Sequence, residues 1–277
     1  MGFRDILVHA DSTRAGRART ELAISLAQRF GARLIGLHVV PEPDVPPYYR
    51  PSAVEHIGRI YAEAAREAGQ KAEAQFREQL HHAGLNCHWH LVEGDVARQV
   101  AYHGQFADLV ILGQWDREHP PGNSPFTLPE EVVVRCGRPI LVVPETGDHQ
   151  FIGRRILIAW DASREATRAV HDALPFLTAA EAVSLLSVNP RSNGREPGGA
   201  DPDQMVEHLK RHGVAAVGEV LTGEESVSDL ILSHAGGIGA DLIPMGAYGH
   251  SRFRELVLGG TCREVLERMT VPVLISH

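Results

Sequence analysis

Asp241-Leu242-Ile243-Pro244-Met245-Gly246-Ala247-Tyr248-Gly249, followed ten residues on by Gly259-Gly260-Thr261-Cys262-Arg263-Glu264-Val265, is the stretch that decides how this chain is read. The apolar run 241–245 predicts a strand entering the middle of a sheet, and 262–269 predicts a helix. Between them glycine recurs as Gly-x2-Gly-x9-Gly at Gly246, Gly249 and Gly259. A strand, a glycine-punctuated loop and a helix start together make an anion site. Glycine lets main-chain N–H groups approach a ligand closely, and the first helical turn offers unpaired donors with a partial positive charge. Nucleotide phosphate is the anion that this arrangement suits.

Outward from that stretch, the chain says most things twice. Asp5-Ile6-Leu7-Val8-His9-Ala10-Asp11-Ser12 is echoed by Arg155-Ile156-Leu157-Ile158-Ala159-Trp160-Asp161-Ala162-Ser163. Each is a β-rich run ending in Asp and Ser, and helices are expected after them at 15–30 and 164–177. Second strands are expected at 33–39 and 182–188. Residues 106–113 match 239–246, and 137–144 match 270–277. The second helix of the first copy, 54–83, is much longer than its counterpart at 203–212. A polar linker at 145–150 separates the copies, giving domains 1–147 and 151–277.

Apolar strands such as 109–112 alternate with amphipathic helices, which indicates parallel sheets covered on both faces. The expected fold class is therefore α/β, with two tandem, doubly wound, five-stranded, Rossmann-like domains. In such folds ligands lie at the carboxyl ends of strands, where the winding reverses. With strand order 3-2-1-4-5, Asp161 and the glycine loop flank that crevice.

The first copy keeps Gly113 in the place of Gly246 but has Asp116 for Gly249 and Phe126 for Gly259. Thr127 and Leu128 stand for Gly260 and Thr261. Carboxylates at Asp116 and Glu118 oppose phosphate, and Pro120, Pro121 and Pro125 remove N–H donors. One nucleotide per chain, held by the second copy, is the expectation.

The 277 residues carry 43% hydrophobic and 22% charged side chains, ordinary for a globular protein. A formal net charge of −8 argues against a nucleic-acid partner, whose backbone needs clustered Lys and Arg. No apolar run approaches the ~18 residues of a membrane helix, so no membrane partner is expected. Met1-Gly2-Phe3-Arg4-Asp5 leads directly into a strand-like segment, which predicts no signal peptide. Gly2 would invite myristoylation, but Ile6 stands where that motif needs Ser or Thr. Three scattered cysteines, Cys87, Cys136 and Cys262, fit a reduced cytoplasmic protein. Among 16 histidines, His81-His82 and His88-x-His90 cluster at a helix-to-strand junction. Alternation puts His88 and His90 on one strand face, either as a chelating pair or as polar edge residues.

The signature, its position and the two copies of the strand–helix pattern resemble the universal stress protein family, over nearly the whole chain. That family's motif is Gly-x2-Gly-x9-Gly followed by Ser or Thr, after the fourth strand. Here Gly260 intervenes and the hydroxyl arrives one place late, on Thr261. The resemblance implies an adenine nucleotide alpha hydrolase-like fold that binds ATP or ADP, with or without Mg2+. It implies Asp161 at the ribose or adenine, Ala159 and Trp160 lining the base pocket, and main-chain contacts from Val188. Met245 and Gly246 would lie under the ribose and phosphates, with Gly249, Gly259, Gly260 and Thr261 around the phosphate tail. Ser251 and Arg252 would help neutralise it. It also implies an intramolecular pseudo-dimer of domains through the fifth strands, 140–143 and 273–276, which would cover two sheet edges. A homodimer and an unidentified protein partner are left open.

Plainer readings stand beside these. Asp161 is also a good helix cap, Trp160 also a core filler whose N–H needs a partner, and His250 also a solvated loop residue. Gly236-Gly237-Ile238-Gly239 precedes a strand and reads as a helix C-cap and turn. Neither a Gly-x4-Gly-Lys-Ser/Thr loop nor a Gly-x-Ser-x-Gly elbow occurs, so no dedicated catalysis is expected beyond slow ATP hydrolysis. The leading expectation is an adenine-nucleotide-binding stress-response regulator. The competing one is a scaffold or small-molecule carrier using the same crevice, and a metal-assisted hydrolase built on the histidines is a third.

Overall fold

The apolar runs form strands, and the amphipathic stretches between them form the covering helices. The computed structural model describes residues 2–41, 51–114, 127–147, 149–189, 202–247 and 260–277. The first part of the chain runs β1 (Asp5–His9), α1 (Arg14–Phe30), β2 (Arg33–Val40), α2 (Pro51–His82), β3 (His88–Glu93), α3 (Val96–Gly104), β4 (Leu109–Gly113), α4 (Leu128–Cys136) and β5 (Ile140–Val143). The second part runs β6 (Arg155–Ala159), α5 (Arg164–Leu177), β7 (Ala182–Val188), α6 (Pro202–Arg211), β8 (Ala216–Leu221), α7 (Val227–Ile238), β9 (Ile243–Gly246), α8 (Gly260–Arg268) and β10 (Val273–Ser276).

Two compact units divide the chain, one of Phe3–Cys136 and one that takes in Gly137–His277. In the first, the strands lie in the order β3-β2-β1-β4 and all pair in parallel. In the second, β10-β9-β6-β7-β8 are parallel, which is the 3-2-1-4-5 order expected from the repeat. β5 belongs to this unit and pairs antiparallel with β10, Val142 opposite Val273 and Ile140 opposite Ile275.

Strands covered on both faces are apolar throughout, as parallel sheets require. Leu109, Val110, Ile111 and Leu112 of β4 are fully buried, and Ile156, Leu157 and Ile158 of β6 nearly so. At the amino edge of each unit, one aspartate before the fourth strand closes the chain. Asp108 Oδ2 accepts from the main-chain N–H of Arg4 at 2.7 Å and of Asp5 at 3.0 Å. Asp241 does the same for Gly153 at 2.8 Å and Arg155 at 3.2 Å. The repeated Ala-Asp pair is thus structural, and it leaves the carboxyl edge to carry any ligand. Gly239 caps α7 with φ 63°, a left-handed conformation that glycine adopts without strain.

Candidate functional site

In the second unit β6 and β9 lie side by side, Ala159 opposite Met245. From β6 the chain passes through α5 to β7, and from β9 through α8 to β10, in opposite directions along the sheet. This reversal is where doubly wound folds open a crevice, with helix N-termini pointing toward it. Gly246 ends β9 against the first turn of α5. A Cβ there would lie 2.5 Å from Ala166 N and 2.7 Å from the Glu165 carbonyl carbon, so only glycine permits the approach.

Asp161 sits just beyond β6. Its Oδ1 accepts from the Ser163 N–H at 2.9 Å and the Ser163 hydroxyl at 2.6 Å. Ser163 Oγ in turn accepts from Ala166 N–H at 2.9 Å. The cap of α5 is therefore Ser163, and Asp161 braces it. Between them Ala162 holds φ 57°, a left-handed conformation costing an L-residue about 1–2 kcal/mol. Trp160 is buried and its main-chain N–H donates to Leu186 O at 2.8 Å. Its indole Nε1 has no hydrogen-bond partner among the described residues. Ala159 is half-buried, while Val188 and Met245 are buried at the ends of their strands. Next to Val188, Asn189 clamps the loop after β8, its Nδ2 donating to Gly223 O at 3.0 Å and its Oδ1 accepting from Gly223 N–H at 3.1 Å. Gly260 and Thr261 open the first turn of α8. Gly249, His250, Ser251, Arg252 and Gly259 lie outside the described residues.

The equivalent crevice of the first unit is filled from within. Arg19 stands six residues past the Thr13 cap of α1, as Ala169 stands six past the Ser163 cap of α5. The Arg19 side chain is buried; its Nε donates to His9 O at 2.8 Å and its Nη2 to Asp11 Oδ2 at 2.5 Å. Nη1 comes within 2.2 Å of where a Cβ on Gly113 would be, so the guanidinium covers the ends of both β1 and β4. Gly16 gives Asp11 the room for this pair, since a Cβ there would meet Asp11 Oδ1 at 2.1 Å. Burial opposes charge on Asp11, but Arg19 and hydrogen bonds from Thr13 outweigh it and bring the pKa to about 2. Burial, then the Arg19 charge, push His9 down to about 3, so it is neutral at physiological pH. At the start of α4, Glu130 Oε2 accepts from Thr127 N–H at 2.6 Å, as in a capping box. A built-in carboxylate thus takes the main-chain donor that aligns with Gly260.

Sequence reasoning located the first copy's change at Asp116 and Phe126, which lie outside the described residues. It missed the Arg19–Asp11 pair, although aligning the copies sets Arg19 against Ala169 and Gly16 against Ala166. It also missed the buried hydroxyls of Ser187 and Ser276. His88 and His90 are exposed on β3, and the rings of His81 and His82 stand 6.0 Å apart. Among the described residues no group of three or more His, Cys, Asp or Glu could hold a metal ion. Cys87, Cys136 and Cys262 are free thiols. No described helix is long and apolar enough to cross a membrane.

The universal stress protein family model matches this chain twice, over residues 2–144 and 153–277. The universal stress protein Slr1230 of Synechocystis sp. is 28% identical over 179 residues, covering 60% of this chain and 57% of that protein's length. The crystal structure of a universal stress protein from Archaeoglobus fulgidus superposes with a TM-score of 0.73 at 18% identity, covering 98% of this chain and 95% of that one. A functionally unknown protein from Pseudomonas aeruginosa superposes with a TM-score of 0.59 at 16% identity, covering 99% and 92%. At these identities the two structures establish the fold alone. With two family matches over nearly its whole length, the chain belongs to the universal stress protein family as a tandem, two-domain member.

Proposed function

We propose that the chain binds one adenine nucleotide, ATP or ADP, at the carboxyl ends of β6 and β9, and acts as a nucleotide-responsive regulator of the stress response. The observation that carries this reading is the contrast between the two crevices. In the first unit Arg19 covers the strand ends, and Glu130 occupies a main-chain donor of α4. In the second unit Ala169 replaces that arginine and Gly260 replaces Thr127 at the helix start. In the second crevice Trp160 Nε1 is buried with no hydrogen-bond partner among the described residues, a donor free to meet a ligand.

Within that crevice Ala159 and Trp160 line the base, Val188 offers main-chain groups to adenine, and Asp161 meets the ribose. Met245 and Gly246 underlie the ribose and phosphates. Main-chain donors at Gly249, Gly259, Gly260 and Thr261 surround the phosphate tail, with Ser251 and Arg252 adding a hydroxyl and a cation. Mg2+ would supply further charge compensation to the phosphates. Nucleotide binding changes a surface that a protein partner reads, by favouring one of two states.

The test is direct. The purified chain is denatured and the supernatant analysed for adenine nucleotide, alongside Gly249→Asp, which copies Asp116 of the first domain. Release from the wild type and none from the variant supports the reading. No nucleotide from the wild type, together with no ATP-dependent rise in melting temperature, favours a carrier of some other ligand.

A further inference from the structure

Four strand ends of the second unit form one row at the carboxyl edge. Ser276 of β10 pairs with Gly246 of β9. Ala159 pairs with Met245 on one side and Leu186 on the other. One step beyond, Trp160 follows Ala159 and Ser187 follows Leu186, and the Trp160 N–H still bonds to Leu186 O at 2.8 Å. Residues in register on parallel strands share a face. The row Ser276, Gly246, Trp160, Ser187 therefore looks toward α5, against whose first turn Gly246 packs.

The polar atoms of this row are buried and unanswered. Ser187 and Ser276 are each 1% exposed and Trp160 is 8% exposed. Ser187 Oγ, Ser276 Oγ and Trp160 Nε1 have no hydrogen-bond partner among the described residues. Buried polar groups in native proteins are nearly always paired, so three in one row call for a missing partner. The first unit has no such row. There Ala10 stands for Trp160, and His38 stands for Ser187 and donates its Nδ1–H to Ala10 O at 2.8 Å.

We propose that Trp160 Nε1–H donates to an acceptor on the nucleoside half of the ligand, a base nitrogen or a ribose oxygen, and that Ser187 Oγ bonds a neighbouring polar atom of the same half. This assignment rests on the nucleotide reading above. Trp160 and Ser187 lie at β6 and β7, on the side of β9 away from β10. Both are neutral donors, which suit a neutral acceptor better than phosphate. Selectivity therefore sits at the strand ends, and a nucleoside lacking the acceptor leaves the indole N–H buried and unpaired.

The experiment titrates the full chain, Trp160→Phe and Ser187→Ala with ATP, ADP, AMP and adenosine by calorimetry, with a melting curve of each ligand-free protein. Trp160→Phe is expected to weaken all four by the same factor, about tenfold. Ser187→Ala weakens them about threefold to tenfold while leaving the ligand-free melting temperature unchanged or raised, because it deletes an unpaired hydroxyl. A purely structural serine would lower that temperature instead. Wild-type affinities in both variants, or a Trp160→Phe loss that grows with phosphate number, overturn the assignment while leaving nucleotide binding intact. A wild type that binds none of the four overturns the nucleotide reading and this assignment together.

Discussion

Replacing Gly246 by alanine tests the packing that shapes the crevice. The added methyl would meet Ala166 N at 2.5 Å, the Glu165 carbonyl carbon at 2.7 Å and Glu165 Cβ at 2.9 Å. Two of these atoms are main chain, so no flexible side-chain tip can swing away. Restoring an ordinary contact of 3.4 Å requires the first turn of α5 to retreat by about 0.9 Å, the difference between 3.4 and 2.5. That turn is not free to move. Ser163 caps it, Asp161 holds Ser163, and Ala166, Ala169, Val170 and Ala173 anchor the helix in the core. Overpacking of this kind costs about 1–3 kcal/mol, or a fall of roughly 3–10 °C in melting temperature for a unit of this size. Nucleotide affinity should fall too, because the retreat carries Asp161 with it. Gly237→Ala is the matched control: it lies inside α7 with nothing within 4 Å of the new methyl, and should stabilise by about 0.5–1 kcal/mol. Urea unfolding and ATP-dependent melting shifts read both variants. A Gly246→Ala protein as stable and as responsive as the wild type would refute the reasoning.

The first unit makes its own predictions. His9, with a pKa near 3 when folded and 6.5 ordinarily, takes up protons more readily when unfolded. Stability is therefore full above pH 6.5 and falls toward pH 3, at up to about 1.4 kcal/mol per pH unit; His9→Gln should flatten that slope in denaturation curves taken between pH 7 and 4.5. Asp11, depressed from 3.8 to about 2, adds a second loss only below its ordinary value. Arg19→Met leaves Asp11 without its cation and His9 O without its donor. With the Asp11 side chain 28% exposed, the cost should be about 2–4 kcal/mol, somewhat less than for a fully buried pair. Adding Asp11→Asn to Arg19→Met should recover part of that loss, and strict additivity of the two would contradict the pairing.

Much of the fold could be read from the chain because strands buried on both faces must be apolar, and here they are. The strand expected at 182–188 is β7 (Ala182–Val188), and the long helix expected at 54–83 is α2 (Pro51–His82). The site was less legible. Asp161 and Ser163 are both good cap residues, and it is the hydrogen bond from Ala166 N–H to Ser163 Oγ that gives Ser163 the cap. Arg19 looks like any helical arginine until the fold brings it back over His9 and Gly113. Ser187 and Ser276 read as ordinary polar positions in strands, since burial without a partner is a tertiary property. The glycine loop was the strongest signal in the sequence, and Gly249 and Gly259 lie outside the described residues.

Stoichiometry tests the central claim most directly. Native mass spectrometry of the full chain titrated with ATP should give one bound nucleotide per chain, lost in Gly249→Asp and retained in Arg19→Met. Two nucleotides per chain, or one that survives Gly249→Asp, would contradict a single site built at the ends of β6 and β9.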